Sequence, residues 1–252
     1  MSRIAIFAYG VLSYLVFFAV FLYGIGFIGG FSTPTSLDGV PTTTLGHALT
    51  ADLALLAAFA LQHSGMARPA FKTWWKRFVP EAAERSTYVL LSSLALAALY
   101  VYWEPIGGVI WNAQDGVVRN GIIGLYLFGW VLLLYTTFLI DHFDLFGLKQ
   151  VWRRLLNKSY RAPVFRTPSL YKVVRHPLYI GWLTIFWAAP TMTVSHLIFA
   201  LVTTAYILIA IGLEERDLVS AFGTTYLDYR ARTPMLIPRL WSKSAKVQRP
   251  VI

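Results

Sequence analysis

The sequence predicts an all-α membrane protein, a polytopic bundle of five to six transmembrane helices with a helical cytoplasmic tail. Of its 252 residues, 57% are hydrophobic and only 13% are charged, whereas soluble domains usually carry about 25% charged residues. Such a composition cannot cover a surface that faces water, so it excludes an ordinary soluble enzyme and a disordered chain. The length suits a single domain over residues 1–252.

The membrane spans are predicted from long apolar blocks, because a helix needs about 20 residues to cross a ~30 Å hydrocarbon core. The first four blocks are 4–28, 46–61, 86–103 and 117–140. The first is too long for the apolar core of a signal peptide, so we interpret it as a span. The second is the weakest, because it is short and contains Asp52.

The last apolar block, 179–213, is too long for one crossing of the bilayer. Pro190 and the polar residues after it interrupt the block and favour a hairpin of two helices. The chain therefore has six crossings, or five if the hairpin is counted as one element.

Lys and Arg residues are concentrated in alternate connecting segments. Segments 63–85, 141–178 and 214–252 hold five, eight and seven of the 22 basic residues, whereas 29–45 and 104–116 hold none. Because cytoplasmic loops are enriched in Lys and Arg, this pattern predicts that the basic segments and both termini lie inside. A membrane surface accounts for the net charge of +10, so we expect the lipid bilayer as a partner and no nucleic acid.

Two cytoplasmic segments are expected to be helical. Segment 69–78 mixes aromatic residues with Lys and Arg, as interfacial amphipathic helices do. Segment 214–232 has the composition of a helix but is too polar to cross the membrane. The absence of cysteine excludes thiolate metal sites and a cysteine nucleophile. No histidine pair has the spacing of a metal motif on one helix, so we expect no metal.

The motif RHPLYIG at 175–181 lies where the basic loop enters the hairpin. Proline suits the first position of a helix, so Pro177 predicts a helix start whose free N–H groups face an anionic ligand. Gly181 would then leave room for the ligand beside the backbone. The alternative is that Arg175 and His176 are interfacial residues without a ligand.

Glu214 and Glu215 close the second arm of the hairpin. Acidic residues at a helix C-terminus oppose the helix dipole and need compensation. One alternative is that they form ion pairs with Arg216 or with the basic loop. The other is that they face Arg175 and His176, because the hairpin returns the chain to the same side of the membrane. A pocket with both charges suits a zwitterionic amino acid group or a ribose diol.

Three further motifs follow RHPLYIG in the sequence: EERDL at 214–218, FGTTYLDYR at 222–230 and MLIP at 235–238. This series of motifs resembles that of the integral-membrane methyltransferases related to isoprenylcysteine carboxyl methyltransferase. In that family these motifs form the S-adenosylmethionine pocket. The resemblance implies a cofactor-binding region over 175–238. Its implied cofactor ligands are Arg175, His176, Pro177, Tyr179, Gly181, Glu214, Glu215, Tyr229 and Arg230.

Three further segments, 62–69, 138–152 and 187–196, resemble the bacterial methanethiol S-methyltransferase family. Segment 62–69 is also similar to NnrU-type membrane proteins. The resemblance implies methyl transfer to a small volatile thiol, with methanethiol favoured, at a cytoplasmic site in the bacterial inner membrane. Two alternatives stay open: methylation of a lipid or prenyl-thioether carboxylate, and a non-catalytic NnrU-type protein.

Two groups of residues that contain a histidine lie at the cytoplasmic ends of predicted membrane spans. Ionisable groups at the edge of a helix bundle commonly mark a functional site. The candidate catalytic residues are Gln62, His63, His142 and Asp144. Either histidine could take the proton of the thiol, or both are structural and the proton goes to water or to Asp144. Asp52 lies deeper and is expected to make a structural hydrogen bond, and His196 lies at the outer end. The oligomeric state is left open.

Overall fold

The computed structural model describes residues 2–161 and 164–238. The basic residues Arg239, Lys243, Lys246 and Arg249 of the predicted cytoplasmic tail lie outside this range. The elements in chain order are α1 (Arg3–Gly29), α2 (Leu45–Ala67), α3 (Pro69–Trp75), α4 (Glu81–Tyr102), β1 (Val109–Asn112), α5 (Gly116–Ile140), α6 (His142–Leu145), α7 (Leu148–Leu155), a 3₁₀ turn (Ser169–Lys172), α8 (Pro177–Trp187), β2 (Thr191–Thr193), α9 (Val194–Phe222) and α10 (Thr224–Arg232).

The prediction of an all-α membrane bundle with a helical tail is confirmed. Four helices, α1, α2, α5 and α9, are long and apolar enough to cross a membrane. Helix α4 has 22 residues and contacts both α1 and α2. The short second block belongs to the 23-residue α2, which continues past His63 to Ala67. Helix α3 confirms a helix in segment 69–78, and α10 supplies the helical tail.

The last apolar block is the predicted hairpin, but its two arms are unequal. Helix α8 has 11 residues and is about 16 Å long, whereas α9 has 29 residues. The turn between them contains strand β2, which pairs antiparallel with β1 from the loop between α4 and α5. The side chain of Thr193 caps α9 by accepting a hydrogen bond from the His196 N–H at 3.0 Å. The turn is therefore fastened at the end of the bundle opposite the basic segments.

Two buried ionisable side chains form hydrogen bonds at this end of the bundle. Asp52 is 1% exposed, and its Oδ1 accepts a hydrogen bond of 2.9 Å from the Glu104 N–H. His196 is 2% exposed; its Nδ1 lies 2.9 Å from Asp38 Oδ2 and its Nε2 lies 3.0 Å from the Phe186 carbonyl oxygen. Because a carbonyl only accepts, Nε2 carries a hydrogen. The structural hydrogen bond expected for Asp52 is confirmed.

Helices α5 and α8 approach each other closely through two glycines. A Cβ added to Gly181 would lie 3.0 Å from Leu133 N and 3.1 Å from the Gly129 carbonyl oxygen. Gly181 therefore contacts the α5 backbone, and the sequence-based interpretation that it leaves room for a ligand is wrong. The motif glycine instead sets how closely the short arm of the hairpin lies against α5.

We expect Gly181→Val to lower the thermal stability of the detergent-solubilised protein. Forcing extra atoms into such a contact typically costs ~1–3 kcal/mol. Gly212→Ala is the matched control, because nothing lies within 4 Å of its added Cβ and alanine favours a helix. Equal melting temperatures for the two variants would contradict this account of Gly181.

The charge pattern gives a direct test of topology. Reporter fusions after Lys158 and after Lys243 in a bacterial host should both report the cytoplasm, and a fusion after Asp115 should report the opposite side. A periplasmic signal after Lys158 would contradict the predicted orientation.

Candidate functional site

A cavity of about 1460 Å³ opens at the end of the bundle where the basic segments lie. It is lined by the C-terminal ends of α2, α5 and α9, by the N-terminal ends of α4 and α8, and by the loop before α8. Small-molecule sites commonly occupy ~300–1,000 Å³. The cavity is thus large enough for more than one small ligand, and it lies where both sequence motifs were expected to meet.

The mouth of the cavity carries an excess of positive charge. Arg68 Nη1 lies 2.9 Å from Asp217 Oδ2, and Lys149 pairs with Asp141. Burial alone would raise the pKa of Asp141, but the hydrogen bond from Lys149 helps to hold it below its usual range. The lining cations are Arg68, Lys72, Arg85, Lys149, Arg153, Arg161, Arg166 and Arg175, against the acids Asp141, Glu214 and Asp217. This excess favours a ligand with an anionic group.

The two hairpin motifs meet through Glu215. Its Oε1 accepts a hydrogen bond of 2.7 Å from Arg175 Nε and lies 3.0 Å from His176 Nε2. Arg175 Nη1 also donates to the carbonyl oxygens of Thr233 at 2.6 Å and Arg230 at 3.2 Å. Glu215 therefore holds Arg175 and His176 in place, and it faces them rather than the cavity.

The chain after α10 binds the same motif through its backbone. The Arg175 N–H donates to the Pro234 carbonyl at 2.8 Å, and the His176 N–H donates to the Met235 carbonyl at 3.1 Å. The start of the MLIP segment is thus hydrogen-bonded to the residues that precede α8. It closes the pocket wall behind Arg175.

Glu214 faces the cavity. Its side chain is 45% exposed, and its Oε2 accepts a hydrogen bond of 3.0 Å from the Tyr179 hydroxyl. Beside it, the Tyr229 hydroxyl donates to the Tyr171 carbonyl at 2.6 Å, and burial raises the pKa of Tyr229 to about 12. The buried Tyr226 hydroxyl has no hydrogen-bond partner among the described residues. Among the described residues, the Tyr226 hydroxyl and the second carboxylate oxygen of Glu214, Oε1, thus have no hydrogen-bond partner.

The predicted cofactor ligands divide into two groups. Those that line the cavity are Arg175, His176, Tyr179, Glu214 and Tyr229. Pro177, Gly181, Glu215 and Arg230 lie behind them; Pro177 begins α8 as predicted, and Arg230 Nη1 is 3.9 Å from Glu215 Oε2. Sequence reasoning missed the lining tyrosines Tyr88, Tyr171, Tyr206 and Tyr226, because tyrosine is common in this chain and its spacing carries no signal.

His63 lies near the end of α2 and lines the cavity. Its Nδ1 lies 3.1 Å from Ser92 Oγ, and its Nε2 lies 2.9 Å from the Tyr88 hydroxyl. The ring stacks on Phe59, with the centroids 5.1 Å apart. The imidazole is therefore held at the boundary between the polar mouth and the apolar interior of the bundle.

His142 also lines the cavity, and both its ring nitrogens are paired, as those of His63 are. The Thr137 hydroxyl donates to the Leu134 carbonyl at 2.7 Å, so it accepts from His142 Nδ1, which is 2.8 Å away. Nε2 then accepts from the Tyr14 hydroxyl at 2.9 Å. Burial lowers the pKa of His142. These contacts favour a neutral, fixed imidazole.

The other two candidate catalytic residues lie outside the cavity lining. Gln62 Nε2 contacts Met66 Sδ at 3.0 Å and Ser92 Oγ at 3.4 Å. Asp144 is buried, and its Oδ2 accepts a hydrogen bond of 3.1 Å from the Tyr160 hydroxyl. Burial and this carboxylate raise the pKa of Tyr160 to about 12. The structure thus brings two of the four candidates, the histidines, to the cavity.

The chain is similar along nearly its whole length to curated bacterial enzymes. It is 50% identical over 242 residues, 96% of this chain and 93% of the relative, to methanethiol S-methyltransferase 2 of Bradyrhizobium diazoefficiens. It is 51% identical over 244 residues, 97% and 96% of the two chains, to methanethiol S-methyltransferase of Crocosphaera subtropica. The enzyme of that name from Mycobacterium tuberculosis is 46% identical over 238 residues, 94% and 98%. No family model matches the sequence, and no solved structure matches it.

Proposed function

Because this chain belongs to the methanethiol S-methyltransferase family, we propose that it methylates methanethiol with S-adenosylmethionine, giving dimethyl sulfide and S-adenosylhomocysteine. The observation that carries this proposal is the full-length similarity to relatives of that name. The cavity supports it, because the motifs 175–181 and 214–218 meet at its mouth. No observation favours carboxylate methylation or a non-catalytic role.

The residues at the mouth fit S-adenosylmethionine. Its carboxylate suits the excess of cations, and its amino group and ribose hydroxyls suit Glu214 and the unpartnered Tyr226 hydroxyl. Aromatic faces attract a positively charged sulfonium, and Tyr179 and Tyr206 line the same part of the cavity. Arg175, His176 and Glu215 act as the rigid frame that positions Tyr179 and Glu214.

S-adenosylmethionine supplies a methyl group already activated on a sulfonium, so the protein binds, orients and excludes water. The thiolate form of the acceptor is the nucleophile. We assign the role of base to His63, which lines the cavity and is held by Ser92 and Tyr88. His142 is a positioning residue of the cavity wall, and Gln62 supports His63 through Ser92. The Asp144 carboxylate accepts a hydrogen bond from Tyr160, and we assign it a structural role.

The protein is an integral membrane protein. We propose that it lies in the bacterial inner membrane with its site facing the cytoplasm, because the cavity mouth coincides with the basic segments. The proposed cofactor region 175–238 forms only part of the cavity, since α2, α4 and α5 also line it. The working unit is therefore the single domain of residues 1–252.

The proposal is tested by expressing the chain in a host that makes no dimethyl sulfide and supplying methanethiol. Headspace gas chromatography should detect dimethyl sulfide in cells with the chain and not in cells with the empty vector. Normal levels of membrane-inserted protein without dimethyl sulfide would contradict the proposed function.

A further inference from the structure

The cavity continues far beyond the histidines towards the end of the bundle opposite the basic segments. On α2 it is lined from His63 to Leu53, a distance of about 15 Å along the helix. On α4 it is lined from Tyr88 to Leu99, about 16 Å. Two neighbouring helices thus give the same depth for the part of the cavity below the mouth.

We call this deeper part the apolar extension and define it by Leu53, Leu56, Ala57, Leu96, Leu99 and Phe199. Its walls offer hydrocarbon and almost no hydrogen-bonding groups. The nearby hydroxyls of Ser93 and Thr203 donate to the carbonyls of Val89 and Phe199, at 2.8 and 2.6 Å, so they are already satisfied within their own helices. Tyr100, beside Leu99, also lines this end of the cavity, so a ligand in the extension meets a surface that is mostly apolar.

Methanethiol has a single methyl group and cannot fill such a volume. We propose that the site also methylates longer straight-chain alkyl thiols, up to about octanethiol, with the alkyl chain in the apolar extension and the sulfur beside His63. A carbon–carbon bond of ~1.5 Å advances an extended chain by about 1.3 Å, so eight carbons span roughly 10 of the 15 Å. This inference rests on the proposed function and names a further class of acceptor for the same site.

The reaction balances as it does for methanethiol. The S–H bond of the thiol breaks, its proton passes to His63 and then to water, and a bond forms between the thiol sulfur and the methyl carbon. The electron pair of the broken sulfur–methyl bond stays on the sulfur of the donor, which becomes a thioether. The products are an alkyl methyl sulfide, S-adenosylhomocysteine and a proton.

The purified protein should be assayed with S-adenosylmethionine and methanethiol, butanethiol or octanethiol, with KM referred to the free thiol in water. Burial of one methylene is worth about 0.8 kcal/mol, or roughly fourfold in affinity. We therefore expect KM to fall about 60-fold from methanethiol to butanethiol, with octanethiol still a substrate. Turnover of methanethiol without turnover of octanethiol would overturn the inference and indicate that lipid fills the extension. Failure with every thiol would count against the proposed function instead.

A matched pair of variants locates the alkyl chain. Ala57 and Ala58 are both exposed, but only Ala57, which lies about 9 Å from His63 along α2, lines the cavity. Ala57→Phe should lower kcat/KM for octanethiol at least 10-fold relative to methanethiol, and Ala58→Phe should leave that ratio unchanged. Equal losses for both thiols in Ala57→Phe would overturn the placement.

Binding gives a second readout that does not depend on turnover. Octyl methyl sulfide, the expected product, should raise the melting temperature of the unsubstituted protein and of Ala58→Phe, because a ligand that binds only the folded state stabilises it. Octyl methyl sulfide should raise the melting temperature of Ala57→Phe much less. No shift in the unsubstituted protein would count against the inference.

Discussion

His63→Ala is expected to lower turnover with methanethiol at neutral pH by at least ~10²-fold, because a general base typically contributes ~10²- to 10⁴-fold. The imidazole lines the cavity and is held by Ser92 and Tyr88. A thiol that is mostly protonated needs such a group, since only the thiolate attacks. Steady-state assays with S-adenosylmethionine would measure the loss, and calorimetry should show cofactor affinity within a few fold of normal.

The loss in His63→Ala should shrink as the assay pH rises, because more of the thiol then arrives already ionised. His142→Ala should have a smaller effect on turnover, because the side chain of His142 is buried whereas that of His63 is half-buried at the cavity wall. His47→Ala is the neutral control, because His47 is exposed at the far end of α2. Near-normal turnover in His63→Ala at neutral pH would remove His63 as the base and leave water or a carboxylate as the acceptor.

Glu214→Gln is expected to weaken S-adenosylmethionine binding by roughly 10- to 150-fold. Losing a hydrogen bond to a charged group costs ~1.5–3 kcal/mol, which corresponds to that range. Glutamine keeps the shape of the side chain and its contact with Tyr179 but removes the charge. Calorimetry on the folded variant would measure the change, with Asp228→Asn on the exposed face of α10 as the control. Equal affinities in the two variants would show that Glu214 does not bind the cofactor.

Glu215→Gln should affect both the stability of the protein and cofactor binding, whereas Glu214→Gln should affect only cofactor binding. The side chains of Arg175 and Glu215 are only 11% and 12% exposed, and removing one partner of a buried ion pair typically costs ~3–5 kcal/mol. We expect a marked fall in melting temperature together with weaker cofactor binding, whereas Glu214→Gln should keep its melting temperature. This difference distinguishes the frame of the pocket from its binding surface.

The sequence predicted the arrangement that matters most for the site. Charge alternation placed the basic segments at one end, and Pro190 indicated the hairpin that returns Glu214 and Glu215 to Arg175 and His176. These predictions succeeded because they depend on properties that the chain must satisfy locally: apolar length, charge at the membrane surface and a break in a helix.

The features that the sequence did not predict depend on contacts between distant segments. Strand β1 forms only by pairing with β2, about 80 residues later in the chain. The need for a glycine at position 181 comes from its close contact with the α5 backbone. The separate roles of Glu214 and Glu215 also follow from packing, since adjacent residues on α9 point in different directions. The pairing of His142 with Tyr14 likewise joins residues of two different helices.

The most direct test of the account is methyl transfer by the purified protein from S-adenosylmethionine that carries a deuterated methyl group. With unlabelled methanethiol, headspace mass spectrometry should find dimethyl sulfide with one deuterated methyl group, in an amount equal to the S-adenosylhomocysteine formed. Glu214→Gln should need a higher cofactor concentration for the same rate. Folded, cofactor-saturated protein that forms no labelled dimethyl sulfide would contradict the account.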